Sequence, residues 1–377
     1  MKKYISNMSK KNIVLLNLRK LYDSYGYKKI SLPSFEEYEL YNENKDFILG
    51  NIILTIMNPS GDLLALRPDI TLSIAKKISK EKTSKYGKVY YQENIYTTSK
   101  YAGYNEKEQL GVELIGKETL FLNFEIVSLA LKSLEIMSKK NMLVLSHAGF
   151  ISSIFENVEL EYEIKEKIFE YINNKNSHDI KIILEKNKNI SAELKNLIYE
   201  LPNLSGNIEE IEKKLSKYEL NPEIVKILSE LKNLYDLIIK FYDKKKVLFD
   251  FSIIKNLKYY NGLVMQGFID KIPNAVLSGG RYDKLFEKFG VDTGAIGFAV
   301  VTDNLNEFYK NENQKDFDIL LLYDESNFEK LAEIVDNLVK DGNRVRTQNI
   351  ACDGCDFETF NYDKKYIFEN GELKIEI

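Results

Sequence analysis

The 377-residue chain has no tryptophan, two cysteines, two histidines, six prolines and five arginines. The cysteines, Cys352 and Cys355, form a lone Cys-x-x-Cys turn. A zinc site takes about four ligands, and His147 and His178 lie far away in sequence. A redox role would need a thioredoxin-like strand and helix around the pair. Incidental thiols are the plainer reading, and no metal or cofactor is expected. So few cysteines suit a reducing cytoplasm, where we expect the protein to reside. The N-terminus lacks the apolar run of a signal peptide, and no stretch approaches the roughly 20 apolar residues of a membrane span. With 53 Lys+Arg against 57 Asp+Glu, the net charge is -4. That disfavours a general nucleic-acid binder, which would show a basic face, yet a basic patch on an acidic chain still suits a tRNA enzyme. The five arginines are Arg19, Arg67, Arg281, Arg344 and Arg346. Few arginines means few planar forks that grip phosphate or carboxylate bidentately, although AT-rich codon usage would produce the same scarcity.

What is present is a folded composition, 44% hydrophobic and 29% charged, of a length suited to two or three domains. Helical spacing runs from Ile13 to Tyr25, with Gly26 as a stop. Gly61 to Asp69 and Val89 to Tyr96 read as strands, with a helix over Thr71 to Lys80 between them. Gln109 to Ile115 alternates strictly and is expected to be half-buried. Thr119 to Lys139 reads as a long amphipathic helix. From Glu159 to Lys244 glycine almost vanishes and the pattern is helical throughout, giving three to five helices. Strands are expected at Val247–Ile254, Gly262–Ile269 and Gly294–Val301, and a small α/β unit begins near Asp316.

Four fragments carry chemistry. In Gln109-Leu110-Gly111-Val112-Glu113, a strand places Gln109, Gly111 and Glu113 on one face. Gln109 donates and accepts, Glu113 accepts, and the glycine lets a ligand approach the backbone. A solvated or helix-covered sheet face is the alternative. The paired Tyr259 and Tyr260 would place one ring on each face, one towards a pocket and one in the core. Gly279-Gly280 would free backbone N–H groups as a helix opens over Arg281 to Phe289. In Leu66-Arg67-Pro68-Asp69-Ile70-Thr71, Asp69 and Thr71 flank a turn into a helix.

In this order and at these separations, the fragments resemble the core of histidyl-tRNA synthetase, a class II family, from about residue 10 to 308. Leu32-Pro33-Ser34-Phe35-Glu36 is similar to its first motif, which builds that class's dimer interface. The resemblance implies an α+β fold, an antiparallel sheet flanked by helices. The core would span 1–158 and 245–312, a helical insertion 159–244, and a small α/β unit 313–377. It also implies a histidine pocket of Asp69, Thr71, Gln109, Glu113, Tyr260 and Tyr282.

The departures fall on the adenylation machinery, which needs cations on phosphate. By resemblance, the family's ATP-gripping arginines correspond to Thr97, Lys255 and Asn304, and Val301 replaces a glycine. Lysine keeps the charge but loses the fork. Only about 60 residues follow Asp316, too few for a complete anticodon-binding domain. A synthetase-like core with these losses is similar to the regulatory-subunit family of ATP phosphoribosyltransferase. That implies no catalytic residues and a short-form catalytic subunit as partner. It further implies dimerisation through the core, histidine as effector, and no tRNA or membrane partner. A divergent synthetase that uses Lys100, Lys107, Lys255 and Lys258 instead, or a stand-alone histidine-binding paralogue, stays open at this point.

Overall fold

The computed structural model describes residues 8–48, 53–81, 87–99, 103–156, 158–187, 189–253, 259–309, 315–351 and 360–376. Cys352, Cys355, Lys100, Lys255 and Lys258 lie outside the described residues. The chain divides into two compact units, 14–305 and a second made of 1–13 with 306–377.

The larger unit is built on a nine-stranded sheet. Six central strands run antiparallel to their neighbours in the order Gly87–Ser99, Gly103–Ile115, Ala295–Val301, Leu277–Arg281, Leu263–Ile269 and Asn141–His147. Parallel joins occur only at the flanks, to Lys28–Lys29 on one side and Val247–Asp250 on the other. The expected strand over Gln109–Ile115 extends back to Gly103 and pairs with Gly87–Ser99 over its whole length. It is not half-buried, since every residue from Leu110 to Ile115 is buried. Its alternation separates two interior faces, a core of Leu110, Val112 and Leu114 and the wall of a cavity.

The helix Leu120–Met137 is capped by Thr119, whose side chain accepts from the Leu122 N–H at 3.2 Å. The sequence suggested a long amphipathic helix, but Ile126–Leu131 and Leu134 are buried around most of its circumference. The reason is helix Pro222–Ile238, which packs on its outer side. Its buried acid, Glu125, is paired with Lys88 and accepts from the Tyr27 hydroxyl, as a buried charge requires.

The stretch 162–238 holds five α-helices, Tyr162–Asn173, Ser177–Lys186, Ala192–Glu200, Ile208–Leu215 and Pro222–Ile238. It is not helical throughout. Ser205–Gly206 pairs with Val247–Asp250 and forms an edge of the large sheet. The strand Asn141–His147 and helix Ala148–Phe155 were not apparent in the sequence pattern.

Gly279 and Gly280 do not open a helix. They lie inside strand Leu277–Arg281, paired on both sides, and the helix starts later, at Asp283. A Cβ on Gly279 would sit 2.1 Å from the Gly297 carbonyl oxygen, so close packing explains this glycine and anion binding does not.

The smaller unit is a four-stranded sheet in the order Val345–Asn349, Ile319–Tyr323, Lys364–Glu369, Glu372–Glu376. Helix Phe328–Lys340, capped by Asn327, packs through Leu331 on Ile319, Leu321, Tyr366 and Phe368. No helix among the described residues is long and apolar enough to cross a membrane.

One buried cation ties the first-motif segment to the sheet. Arg67 is 0% exposed. It donates to the carbonyls of Leu32 (3.1 Å), Pro33 (2.7 Å) and Asn94 (2.7 and 3.1 Å) and to Glu93 (3.3 Å). Those five bonds use all five guanidinium N–H donors. A lysine offers three donors from one point and would leave carbonyls unpaired. We expect Arg67→Lys to cost about 3 kcal/mol or more in urea denaturation; a loss under about 0.5 kcal/mol would show that the clamp is dispensable.

Candidate functional site

The loop before helix Ile70–Glu81 supplies the first wall. Asp69 caps this helix, its Oδ1 accepting from the Leu72 N–H at 2.8 Å, the usual task of an aspartate at that position. Thr71 follows in the first turn and donates its hydroxyl to Glu113 Oε1 at 3.2 Å. Strand Gly103–Ile115 contributes Gln109 and Glu113. Tyr282, at the turn between strand Leu277–Arg281 and helix Asp283–Lys288, donates to Glu113 Oε2. Asp69, Thr71, Gln109, Glu113, Tyr260 and Tyr282 all line one cavity of about 130 Å³, together with Tyr91, Tyr259 and Val301. On a comparable measure an engineered cavity of about 150 Å³ admits benzene, so the space suits a single small ring with substituents reaching the mouth.

The sequence misplaced two features here. The space above Gly111 is not left for a ligand. The Tyr91 ring fills it, and a Cβ there would lie 2.4 Å from its hydroxyl oxygen. Tyr91 and Gly111 are register partners, a pairing that the sequence alone does not display. Tyr259 and Tyr260 do not point to opposite faces. They precede the strand, and both rings line the cavity, edge to face at 4.8 Å, while Tyr259 also packs in the core against Phe47 as expected of one ring. Two further glycines seat cavity side chains in the same way: Gly280 gives its Cβ space to the Tyr260 ring and Gly297 to the Glu113 carboxyl.

The two acids have different roles. Glu113 is 3% exposed, and burial pushes its carboxyl up to about 8, with the hydroxyls of Tyr282 and Thr71 opposing and Asp69 adding to the rise. Asp69 is raised by burial to about 6, held back by the N–H groups of Leu72 and Thr71 and by Arg67. Near neutral pH Asp69 carries charge and Glu113 keeps a proton, a division of labour set by environment. Asp69 can hold a cationic nitrogen, and Glu113 can donate to or accept from a ring nitrogen. Among the described residues no lysine or arginine lines the cavity.

Of the three positions matched to ATP-binding arginines, two fall within the described residues. Thr97 pairs with Asn105 on the hairpin, away from the lining. Asn304 opens helix Asn304–Tyr309, and Lys255 is outside the described residues. Val301, opposite Gln109 in the ladder, lines the cavity. Arg281 is also committed, its Nε 2.8 Å from Asp283 and 3.3 Å from Glu118.

The histidyl-tRNA synthetase profile matches residues 6–305. A protein of Clostridium acetobutylicum named ATP phosphoribosyltransferase regulatory subunit is 30% identical over 393 residues, covering all of this chain and 95% of that protein. The chain belongs to the synthetase-like family of ATP phosphoribosyltransferase regulatory subunits. Among solved structures, the chain is similar to a Bacillus halodurans protein described as ATP phosphoribosyltransferase regulatory subunit/histidyl-tRNA synthetase. The TM-score is 0.79 at 24% identity, over 96% of this chain and 93% of the other. It is also similar to a chain of the ATP phosphoribosyltransferase (HisG:HisZ) complex from Thermotoga maritima, with TM-score 0.61 at 17% identity, over 78% and 97%. The class II synthetase-like α+β fold is therefore established, and the family is named for regulation and not for catalysis.

Two measurements probe the cavity. The raised Glu113 carboxyl means that the native state holds more protons than the unfolded chain. Its stabilising effect is complete below about 4.5 and fades as pH rises through about 8. Glu113→Gln should flatten the fall of urea stability between those values, and an unchanged slope would contradict the buried protonated carboxyl. Gly111→Ala should cost about 1–3 kcal/mol by overpacking and distinctly less in a Tyr91→Ala background. Equal costs in both backgrounds would mean that Tyr91 does not occupy that space.

Proposed function

We propose that the protein is a non-catalytic subunit that activates a short-form ATP phosphoribosyltransferase catalytic chain, and that histidine bound in the Glu113 cavity turns the complex off. The observation that carries this reading is the split between the two halves of a synthetase site. The amino-acid side is assembled in full: an ionised Asp69, a protonated Glu113 and tyrosine rings around a one-ring space. On the nucleotide side, the positions matched to ATP-gripping arginines are Thr97, Lys255 and Asn304, while Arg67 and Arg281 bond to carbonyls and carboxylates of their own fold. The names of the Clostridium and Thermotoga proteins support a transferase partner. On this reading the protein works in the cytoplasm and has no tRNA substrate.

Inhibition then requires that histidine bind two states of the complex with different affinity. Such coupling is typically about 1–3 kcal/mol, on the order of 5- to 150-fold. The small sheet Phe35–Glu37, Leu63–Leu66, Thr55–Met57 favours self-association through the first motif. Register places Phe35, Ile56, Leu64 and Leu66 on one face together with Glu37, the partner of Leu64, and Phe35 and Ile56 are 47% and 49% exposed. Exposed apolar side chains grouped on one face mark an interaction surface.

Mixing the protein with a short-form catalytic subunit should switch on phosphoribosyl-ATP formation from ATP and phosphoribosyl pyrophosphate, and histidine should suppress it. No activation and no co-elution would refute the reading. Glu113→Gln should keep activation and lose most histidine inhibition; unchanged inhibition would move the effector elsewhere. Ile56→Asp should reduce the self-associated species in sedimentation, and an unaltered mass would exclude this face.

A further inference from the structure

The helical stretch carries a second cavity, of about 220 Å³ against about 130 Å³ for the Glu113 cavity. It lies where the end of helix Ala148–Phe155 meets the first turn of helix Ala192–Glu200 and the segment leading into helix Pro222–Ile238. Ile154, Leu194, Leu197, Leu220 and Ile224 give it an apolar wall. Ser153 also lines it and is 9% exposed. Its carbonyl accepts from the Asn221 side-chain amide at 3.1 Å, but its hydroxyl has no hydrogen-bond partner among the described residues. Buried hydroxyls are normally paired, and an apolar cavity with a few open polar groups is the usual form of a small-molecule site.

The rim carries charge of one sign. Glu193 and Glu219 are exposed and line the cavity, and no lysine or arginine does so among the described residues. One Glu193 oxygen accepts from the Glu219 backbone N–H at 2.7 Å, which holds the two acids side by side. Neither carboxylate forms an ion pair among the described residues. The lysines nearby in sequence are engaged or turned away: Lys217 is paired with Glu200 and Lys226 with Glu223, and Lys195 is outside the lining. The N-cap residues of two helices, Ser191 and Asn221, also line the cavity, and an open helix N-terminus would favour an anion. These two are closed. Ser191 accepts from the Leu194 N–H at 3.2 Å and Asn221 from the Ile224 N–H at 2.8 Å. Pro222 has no N–H to offer, and Glu193 and Glu223 already stand in the first turns. What remains unanswered at the rim is carboxylate.

We propose that this cavity is a second ligand site, separate from the Glu113 cavity, and that it takes a small organic cation: a flat apolar ring system bearing an ammonium group. The rings lie against the leucine and isoleucine wall, the ammonium reaches Glu193 and Glu219, and a ring heteroatom pairs with the Ser153 hydroxyl.

Tryptamine is a suitable probe. Its two fused rings exceed the one-ring space beside Glu113. The chain has no tryptophan, so the indole emission of the probe reports its binding to the full-length protein directly. Tryptamine should bind about tenfold or more tightly than indole-3-propionate, which has nearly the same shape and the opposite charge. Glu193→Gln/Glu219→Gln should weaken tryptamine by about tenfold and remove that preference. Ser153→Leu, which fills the cavity, should abolish binding. Both acids are exposed, so the glutamine variant keeps its fold and decides the question even where Ser153→Leu does not fold. Absent tryptamine binding, equal binding of the two probes, or unchanged tryptamine affinity in the glutamine variant would each overturn the proposal. Tighter binding of indole-3-propionate would also overturn it and assign the site to the helix N-termini. No catalytic subunit enters the experiment, so its outcome does not depend on the transferase reading.

Discussion

The buried Glu113 carboxyl is the constraint around which the larger unit is arranged. No lysine or arginine lines its cavity among the described residues, so hydroxyl donors and protonation replace charge pairing. Thr71 and Tyr282 supply the donors. Their positions depend on helix Ile70–Glu81, capped by Asp69, and on a strand that ends at Arg281. Gly297, on the neighbouring strand, has to lack a Cβ for the carboxyl to fit. Removing Thr71 or Tyr282 leaves one oxygen of a buried carboxyl without its donor, which is costly.

The same arrangement separates binding from chemistry. A site that activates an amino acid needs cations aimed at phosphate and at the charge that develops during reaction. This cavity offers two acids, one neutral near physiological pH, and a wall of tyrosines. The guanidinium groups closest in sequence to the cavity motifs hold the scaffold: Arg67 in five bonds across three segments, and Arg281 through Nε and Nη2 against Glu118, Asp283 and the Gly116 carbonyl, its Nη1 buried without a partner. On the proposed reading the pocket grips without reacting, as a sensor requires, and its occupancy biases a second surface.

The candidate site was legible in the sequence to the extent that it rests on local pattern. Alternation placed Gln109 and Glu113 on one face, and Asp69 and Thr71 stand at a helix start that their residue types announce. Contacts set by strand register were not legible. Tyr91 covers Gly111 because the two face one another across the ladder, and Gly280 makes room for Tyr260, which comes from the segment before the neighbouring strand. Gly279-Gly280 looked like a helix opening because paired glycines signal turns, yet here tight packing between strands selected them. Strand Asn141–His147 and helix Ala148–Phe155 went unread because both are short, too short for a run of apolar residues to show a period. The burial of helix Leu120–Met137 depended on a second helix about 100 residues later, which no local window contains.

The central claim is that the amino-acid half of a synthetase site persists without its nucleotide half. ATP–pyrophosphate exchange in the presence of histidine tests it most directly. The protein should give no exchange above the background without enzyme, at any histidine concentration. Robust histidine-dependent exchange would contradict the claim and return the chain to the working synthetases.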